Sequence, residues 1–331
     1  MMIRIVFNVA AESGGALSVL NDFYEICKRD EDNEYIFVLS KPNLQGSKNV
    51  KIIKLPWIKK SWFHRLFFDH FVAPLIIKKN KADEVISLQN TIIPYIKIPQ
   101  SVLVHNALPF SQYRFSLLEN RVLWVYQNVL SRIIFKSIKR ADRVIVQTEW
   151  MKRKCIQKLN INPNKIQVMR PEINIQVEKT YSQSNNSLVT FFYPASCATF
   201  KNHKIIIDAC KKLKEEEILN FEVIFTISGR ENKHASNLYS SVLENDIPVR
   251  FAGEISRDEV LEYFTKSILL FPSYIETVGL PLVEAKRFGT PILASSSEYA
   301  EEVLKDYNNV RFFNPFKSDE LLELMKRKIL N

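Results

Sequence analysis

Residues 267–295 read SILLFPSYIETVGLPLVEAKRFGTPILAS. The ends, "SILLFPS" and "TPILAS", are short apolar runs of strand length, and "LPLVEAKRFG" between them reads as a helix. Pro281 suits the first helical turn, where its missing N–H has no partner to lose, and Gly289 suits a left-handed closing residue. Strand, helix, strand at this spacing makes a parallel unit, with residues 274–279 as the loop at the strand's carboxyl end. Ligands of parallel sheets gather at such ends. The N–H groups of Thr277, Val278, Gly279 and Leu280 then lie at the positive end of the helix dipole, which makes an anion site suited to phosphate. Gly279 has no Cβ, so an anion can approach the backbone there.

Two carboxylates bracket this loop. Glu276 precedes it and Glu284 lies about a turn and a half into the helix. A phosphate would repel both, so they suit neutral hydroxyls such as those of a sugar or a ribose. The alternative is a loop carboxylate favoured by the dipole and a second one that solvates a helix face. Spacing alone leaves both readings open.

The same alternation extends outward through the chain. "IRIVFNV", "GGALSVLNDFYEICKR" and "EYIFVLS" form a first strand–helix–strand unit, and strands continue at "VKIIKLP", "EVISLQ", "SVLVHNA" and "RVIVQT". From Arg170 to Leu188 the chain turns polar, which reads as a linker. The alternation then restarts at "LVTFFYP". A length of 331 residues exceeds what one core usually serves. Two α/β domains follow, 1–175 and 176–331, each a doubly wound parallel sheet covered on both faces.

The chain carries 46 Lys plus Arg against 36 Asp plus Glu, a net charge of +10. This favours anionic partners: nucleic acid, lipid head groups or a phosphorylated small molecule. Lys54–Lys81 interleaves bulky aromatics with cations. It fits a membrane interface, a core helix with a basic outer face, or a single-strand nucleic-acid surface. No apolar run reaches the roughly 20 residues of a membrane span. The first residues read as a strand rather than a signal peptide, so the expected location is the cytoplasm. Cys27, Cys155, Cys197 and Cys210 lie far apart with no metal or disulfide spacing. Asp30-Glu31-Asp32 follows a helix in a charged turn, which predicts a solvated loop and no catalytic metal.

The stretch from Phe271 to Ser295 resembles the signature of family 4 retaining glycosyltransferases, whose hallmark is two glutamates separated by seven residues. Glu276 and Glu284 match them. "VRFAGEISRDEVLEYF", "FFYPASCATFKNHKIIIDACKKL" and "RADRVIVQTEWMKRKCIQKLNINPNKIQVM" resemble further family segments, so the likeness covers most of the chain. It implies the GT-B fold, with two Rossmann-like domains facing a cleft, an acceptor side at the front and donor binding at the back. It implies a nucleotide diphosphate sugar as substrate, no separate cofactor, and a saccharide or lipid-linked acceptor rather than nucleic acid. Lipid-linked acceptors in turn favour the inner membrane face, with Lys54–Lys81 against it.

In residue terms the resemblance puts Glu276 on the donor sugar, Glu284 on the ribose, and the Thr277, Val278, Gly279 and Leu280 amides on the diphosphate. Lys201 matches the family's diphosphate lysine, while Ser196 stands where an arginine is usual. Arg230, after "ISG", is the substitute cation considered. Gly14 and Gly15, by position a tight turn or a binding loop, align with the family's glycine-rich loop near the donor phosphate. His105, ending the run "SVLVH", aligns with a histidine near the donor sugar. A nucleotide-sugar epimerase, a non-catalytic nucleotide-sugar binder and a nucleic-acid binder are the rival functions. Family members usually carry more helix after a segment like Phe316–Asn331, which leads to the expectation that the closing helix is reduced or its role is filled otherwise.

Overall fold

The computed structural model describes residues 1–12, 14–171, 175–182 and 188–330. The chain divides into two compact units, Met1–Glu172 and Ile173–Asn331. The linker expected over Arg170–Leu188 falls partly outside the described residues.

In the first unit the strands are β1 Ile3–Asn8, β2 Glu34–Leu39, β3 Val50–Lys54, β4 Glu84–Ser87, β5 Gln100–Val104, β6 Arg143–Val146 and β7 Ile166–Val168. They pair in parallel in the order β3-β2-β1-β4-β5-β6-β7. Because strand side chains alternate between faces, the sheet has two cores. Val6, Phe37, Leu103 and Ile145 pack with Leu20 and Tyr24 of the helix Gly14–Arg29. On the other face Ile5, Phe7 and Val9 pack with Phe68, Ala73 and Ile77. These come from a helix running from Trp62 to Lys79, in which Phe68–Val72 forms a π-turn. Phe68 meets Phe7 edge-on at 6.0 Å between ring centres.

The second unit has β8 Val189–Tyr193, β9 Phe221–Phe225, β10 Val249–Phe251, β11 Ile268–Phe271, β12 Ile292–Ser295 and β13 Val310–Phe313. Their order is β10-β9-β8-β11-β12-β13, again all parallel. Each sheet therefore reverses its winding beside its first strand, at β1/β4 and at β8/β11. The carboxyl ends at such a reversal leave a crevice, because the following helices go to opposite faces. An aromatic core supports it: Tyr193 lies edge-on to Phe271 with 5.8 Å between ring centres, and Phe225 contacts the fully buried His203 at 4.9 Å.

The helix foreseen after the signature loop runs Leu280–Phe288, with Pro281 in its first turn and Gly289 left-handed at its end. The helix Arg257–Lys266 begins with a reciprocal cap between Ser256 and Glu259, which satisfies two backbone N–H groups. Two short strands went unread in the sequence, β7 and β13. Their three and four residues lie at sheet edges, where burial is incomplete and the apolar run is correspondingly short.

Candidate active site

Three loops gather at the carboxyl edge of the second sheet: after β8, after β9 and after β11. The β8 loop makes a single turn at Thr199–Lys201, and Asn202 then adopts a left-handed conformation before the helix His203–Glu215. That turn is pinned to the loops after β11 and β13. The N–H of Tyr274 donates to the Phe200 carbonyl at 3.2 Å, and the Asn202 amide donates to the Pro315 carbonyl at 2.7 Å. The Tyr193 hydroxyl donates to the Lys201 carbonyl at 2.7 Å.

This bracing brings Lys201 and Glu276 together, 75 residues apart in sequence. Lys201 Nζ is paired directly with Glu276 Oε1, and both side chains are largely buried. The Ser273 hydroxyl donates to the same oxygen at 3.0 Å. Ser273 is itself fixed, since its carbonyl accepts from the hydroxyls of Ser295 and Tyr299. Glu276 is thus held by a cation and a hydroxyl. The repulsion expected between this carboxylate and a nearby phosphate is offset by the lysine on it.

Beyond Glu276 the helix Leu280–Phe288 opens as expected. Among the described residues the N–H groups of Val278, Gly279 and Leu280 meet no acceptor, whereas Thr277 makes a further contact of its own. Gly279 is also required by its surroundings. Its φ is +74°, and a Cβ there would come within 3.2 Å of Phe271 and Tyr299. Backbone handedness and a buried aromatic floor both demand glycine there.

Glu284 does not solvate a helix face. Its side chain is only 7% exposed and pairs at 2.8 Å with the guanidinium of Arg257, which is itself 61% exposed. Burial raises the Glu284 carboxyl above its ordinary range, with Arg257 opposing. Arg257 escaped the sequence reading because an arginine at a helix start carries no motif.

The β9 loop holds Arg230, exposed, after Gly229 at φ +80°. A Cβ on Gly229 would strike Tyr239 at 2.8 Å, so glycine is required there too. Asn232 donates to Cys197 Sγ at 3.0 Å, which ties this loop to the one bearing the exposed Ser196. Arg230 and Ser196 therefore lie on adjoining loops.

In the first unit the carboxyl edge at the β1/β4 reversal is polar. Asn8, buried, accepts from Ala11 N at 3.2 Å, and the buried Gln89 accepts from Val9 N at 3.4 Å. Asn90 accepts from His105 N at 2.8 Å. His105 Nε2 lies 3.1 Å from the Leu88 carbonyl, an acceptor, and 3.3 Å from the Asn90 amide nitrogen, a donor, so it meets the carbonyl in one tautomer and the amide in the other. Burial lowers the His105 pKa, which keeps the ring neutral at pH 7. Gln89 Nε2 is buried and meets no partner among the described residues, and Gln89 was not singled out in the sequence.

Gly14 and Gly15 form the first turn of the helix Gly14–Arg29 rather than a loop. Gly15 has open space where a Cβ would stand, so no packing forces glycine there. Ser13 lies outside the described residues. Lys41 and Lys59 converge on Glu12 at 3.0 and 3.3 Å and hold its carboxyl below the usual range. Asp30 is also less solvated than its charged turn suggested: it accepts from Tyr35 and Asn33 at 2.6 and 2.9 Å. Cys27, Cys155, Cys197 and Cys210 are free thiols, with only Cys197 partly exposed.

Two doubly wound parallel domains, each reversing its winding beside its first strand, define the GT-B fold. The domain spanning residues 176–331 belongs to the family described as Glycosyl transferases group 1. The protein is a glycosyltransferase. It is 24% identical over 285 residues to the O-antigen chain mannosyltransferase RfbU of Salmonella typhimurium, covering 84% of this chain and 72% of that one. It is 26% identical over 170 residues to a D-inositol 3-phosphate glycosyltransferase of a Mycobacterium species, covering 48% of this chain and 38% of that one. Among solved structures, Anabaena HepE in complex with UDP and glucose superposes with a TM-score of 0.71 at 17% identity, over 99% of this chain and 90% of that one. WaaG, a glycosyltransferase involved in lipopolysaccharide biosynthesis, gives 0.72 at 16% identity, over 100% and 91%.

Proposed function

We propose that the protein moves a sugar from a nucleotide diphosphate sugar to a hydroxyl of a lipid-linked saccharide, with retention at the anomeric carbon, in the building of a surface polysaccharide. The observation that carries this is the Lys201–Glu276 pair beside the acceptor-free amides of Val278, Gly279 and Leu280. A departing diphosphate gathers negative charge, and fixed donors aimed at it lower the barrier. Lys201 and these amides are such donors, with Arg230 beside Ser196 as a second cation.

Glu276, released from Lys201 as the diphosphate arrives, accepts hydrogen bonds from the donor sugar's hydroxyls, and Glu284 accepts from the ribose. The bond from the anomeric carbon to the phosphate oxygen breaks, and the acceptor oxygen bonds to that carbon on the same face. The acceptor's proton passes to the leaving phosphate oxygen. From the first domain, neutral His105 is assigned to a sugar or acceptor hydroxyl and the Gly14–Gly15 amides to the donor phosphate. No step calls on a metal ion.

Surface chemistry and the likeness to an O-antigen chain mannosyltransferase support this acceptor class. Among the described residues no helix is long and apolar enough to cross a membrane. The helix Trp62–Lys79 nonetheless exposes Trp62, Phe63, Phe67 and Phe71 beside Lys78 and Lys79, a composition suited to the head-group region of the inner membrane face.

The test is turnover with nucleotide sugars and a lipid-linked saccharide acceptor. Glu276→Ala and Lys201→Ala each lower the rate by more than about tenfold with the fold intact. Unchanged rates in both variants remove the site assignment, and isomerisation of the donor without acceptor marks an epimerase instead.

A further inference from the structure

A second surface of the same character lies in the first domain, outside Lys54–Lys81. A helix runs from Arg121 to Arg140, with a π-turn at Tyr126–Leu130. Its buried side carries Gln127, Ser131, Ile134 and Ile138. The opposite side of a soluble amphipathic helix is usually polar with mixed charge. Here Val122, Val125, Val129 and Ile133 stand exposed in one stripe, three, four and four residues apart, and Leu118 just before them is 95% exposed. The segment Arg121–Arg140 has five basic residues, Arg121, Arg132, Lys136, Lys139 and Arg140, and no acidic one. All five are exposed. Along Arg121–Arg140 the apolar stripe is flanked by cations, with Glu119 as an exposed carboxylate beside Leu118, and such a surface complements one that is apolar below and anionic above.

Topology puts this helix beside the first one. The crossings from β3 to β4 and from β5 to β6 run in the same direction along the sheet, so right-handed connections place both helices on the same face. Strand alternation agrees. Leu103 and Ile145 belong to the core under the helix Gly14–Arg29, which turns Val102, Val104, Val144 and Val146 toward the face on which Phe68 packs. Tyr95, 82% exposed in the intervening β4–β5 loop, stands 5.5 Å from His70 of the first helix and extends its apolar area.

We infer that the stripe from Leu118 to Ile133 and the aromatic stripe from Trp62 to Leu75 form one footprint by which the first domain rests on an anionic lipid bilayer. The choice of partner rests on the membrane reading proposed above, whereas the residues and the two-helix geometry do not. Two patches on one domain fix its orientation on the bilayer, which a single helix leaves free to roll.

Flotation with vesicles of phosphatidylcholine, alone or with about 30% phosphatidylglycerol, tests this. Two variants are compared with the full chain: Val122→Ser/Val125→Ser/Val129→Ser/Ile133→Ser, and Trp62→Ser/Phe63→Ser/Phe67→Ser. All these positions are exposed, and an unchanged melting temperature checks that each variant folds. Each set lowers the bound fraction on anionic vesicles about tenfold, their combination abolishes binding, and salt weakens what remains. If the valine–isoleucine variant floats like the wild type while the aromatic variant is lost, the two-helix footprint is overturned and the single-helix membrane reading stands. If the wild type ignores anionic vesicles, both fall. If the valine–isoleucine variant turns a dimer into a monomer on size exclusion with vesicle binding unchanged, a second copy covers the stripe and the proposal is wrong.

Discussion

Replacing Glu276 by glutamine moves nucleotide binding and turnover in opposite directions. Before donor arrives, Lys201 is committed to Glu276, and the two side chains are 19% and 16% exposed. That places the pair between exposed ion pairs, worth about 0.2–1 kcal/mol, and buried ones, whose breaking costs about 3–5 kcal/mol. An intermediate value of about 1.4 kcal/mol is what a diphosphate must overcome to take the lysine, equivalent to about tenfold in affinity. Glu276→Gln removes the competing charge and keeps the shape, so a nucleoside diphosphate such as UDP binds up to about tenfold more tightly. Lys201→Ala leaves the carboxylate unpaired in the anion's path and weakens binding by tenfold or more. With a sugar-bearing donor the signs part, because Glu276→Gln loses the charged acceptor for sugar hydroxyls and turnover falls by more than about tenfold. Calorimetric titration with UDP and other nucleoside diphosphates, alongside rate measurements, reads both effects. If Glu276→Gln weakens diphosphate binding as much as Lys201→Ala does, the competition argument fails.

Three other expectations follow from single side chains. Glu284 has a carboxyl raised by burial above its ordinary 4.5, so the folded state holds its proton longer than the unfolded chain. This group therefore costs stability as pH rises through that raised value, and Glu284→Gln leaves the melting temperature at pH 8 equal or higher while nucleotide affinity falls. A melting temperature that drops instead shows the Arg257 pair to be a net structural support. His105 has a pKa below its ordinary 6.5, so its stability contribution is lost as pH falls below that value and the rate is flat above it. His105→Gln, which can still donate to the Leu88 carbonyl, lowers kcat with little change in UDP affinity; an equal loss in both assigns the ring to nucleotide binding. Gly279→Ala forces a left-handed alanine against Phe271 and Tyr299, at about 2–3 kcal/mol, and lowers the melting temperature by several degrees, as a thermal scan will show.

Alternating apolar runs and helical spacing were enough to foresee the two parallel sheets, because strands buried on both faces read as continuous apolar segments. Edge strands β7 and β13 lack that signature. The signature loop was legible through Pro281 and Gly289, whose backbone preferences are local. The Lys201–Glu276 contact could be placed in one site only through resemblance, since the two lie 75 residues apart and meet through the backbone bracing of Phe200 and Asn202. Arg257 on Glu284, Gln89 at the first reversal and the stripe from Val122 to Ile133 were not read. Each depends on which face of an element turns toward a neighbour or solvent, a tertiary fact that a helix rich in valine and arginine does not announce. Gly279 was noticed for its scarcity, but its packing against Phe271 and Tyr299 was not read, because sequence cannot say which side of a glycine is packed.

The most direct test of the account is acceptor-dependent release of nucleoside diphosphate from a panel of nucleotide sugars, with the anomeric configuration of the product read by NMR. The account predicts release with at least one donor, a product retaining the donor's configuration, and a rate more than about tenfold lower in Lys201→Ala. An inverted product, or a Lys201→Ala rate equal to the wild type, contradicts it.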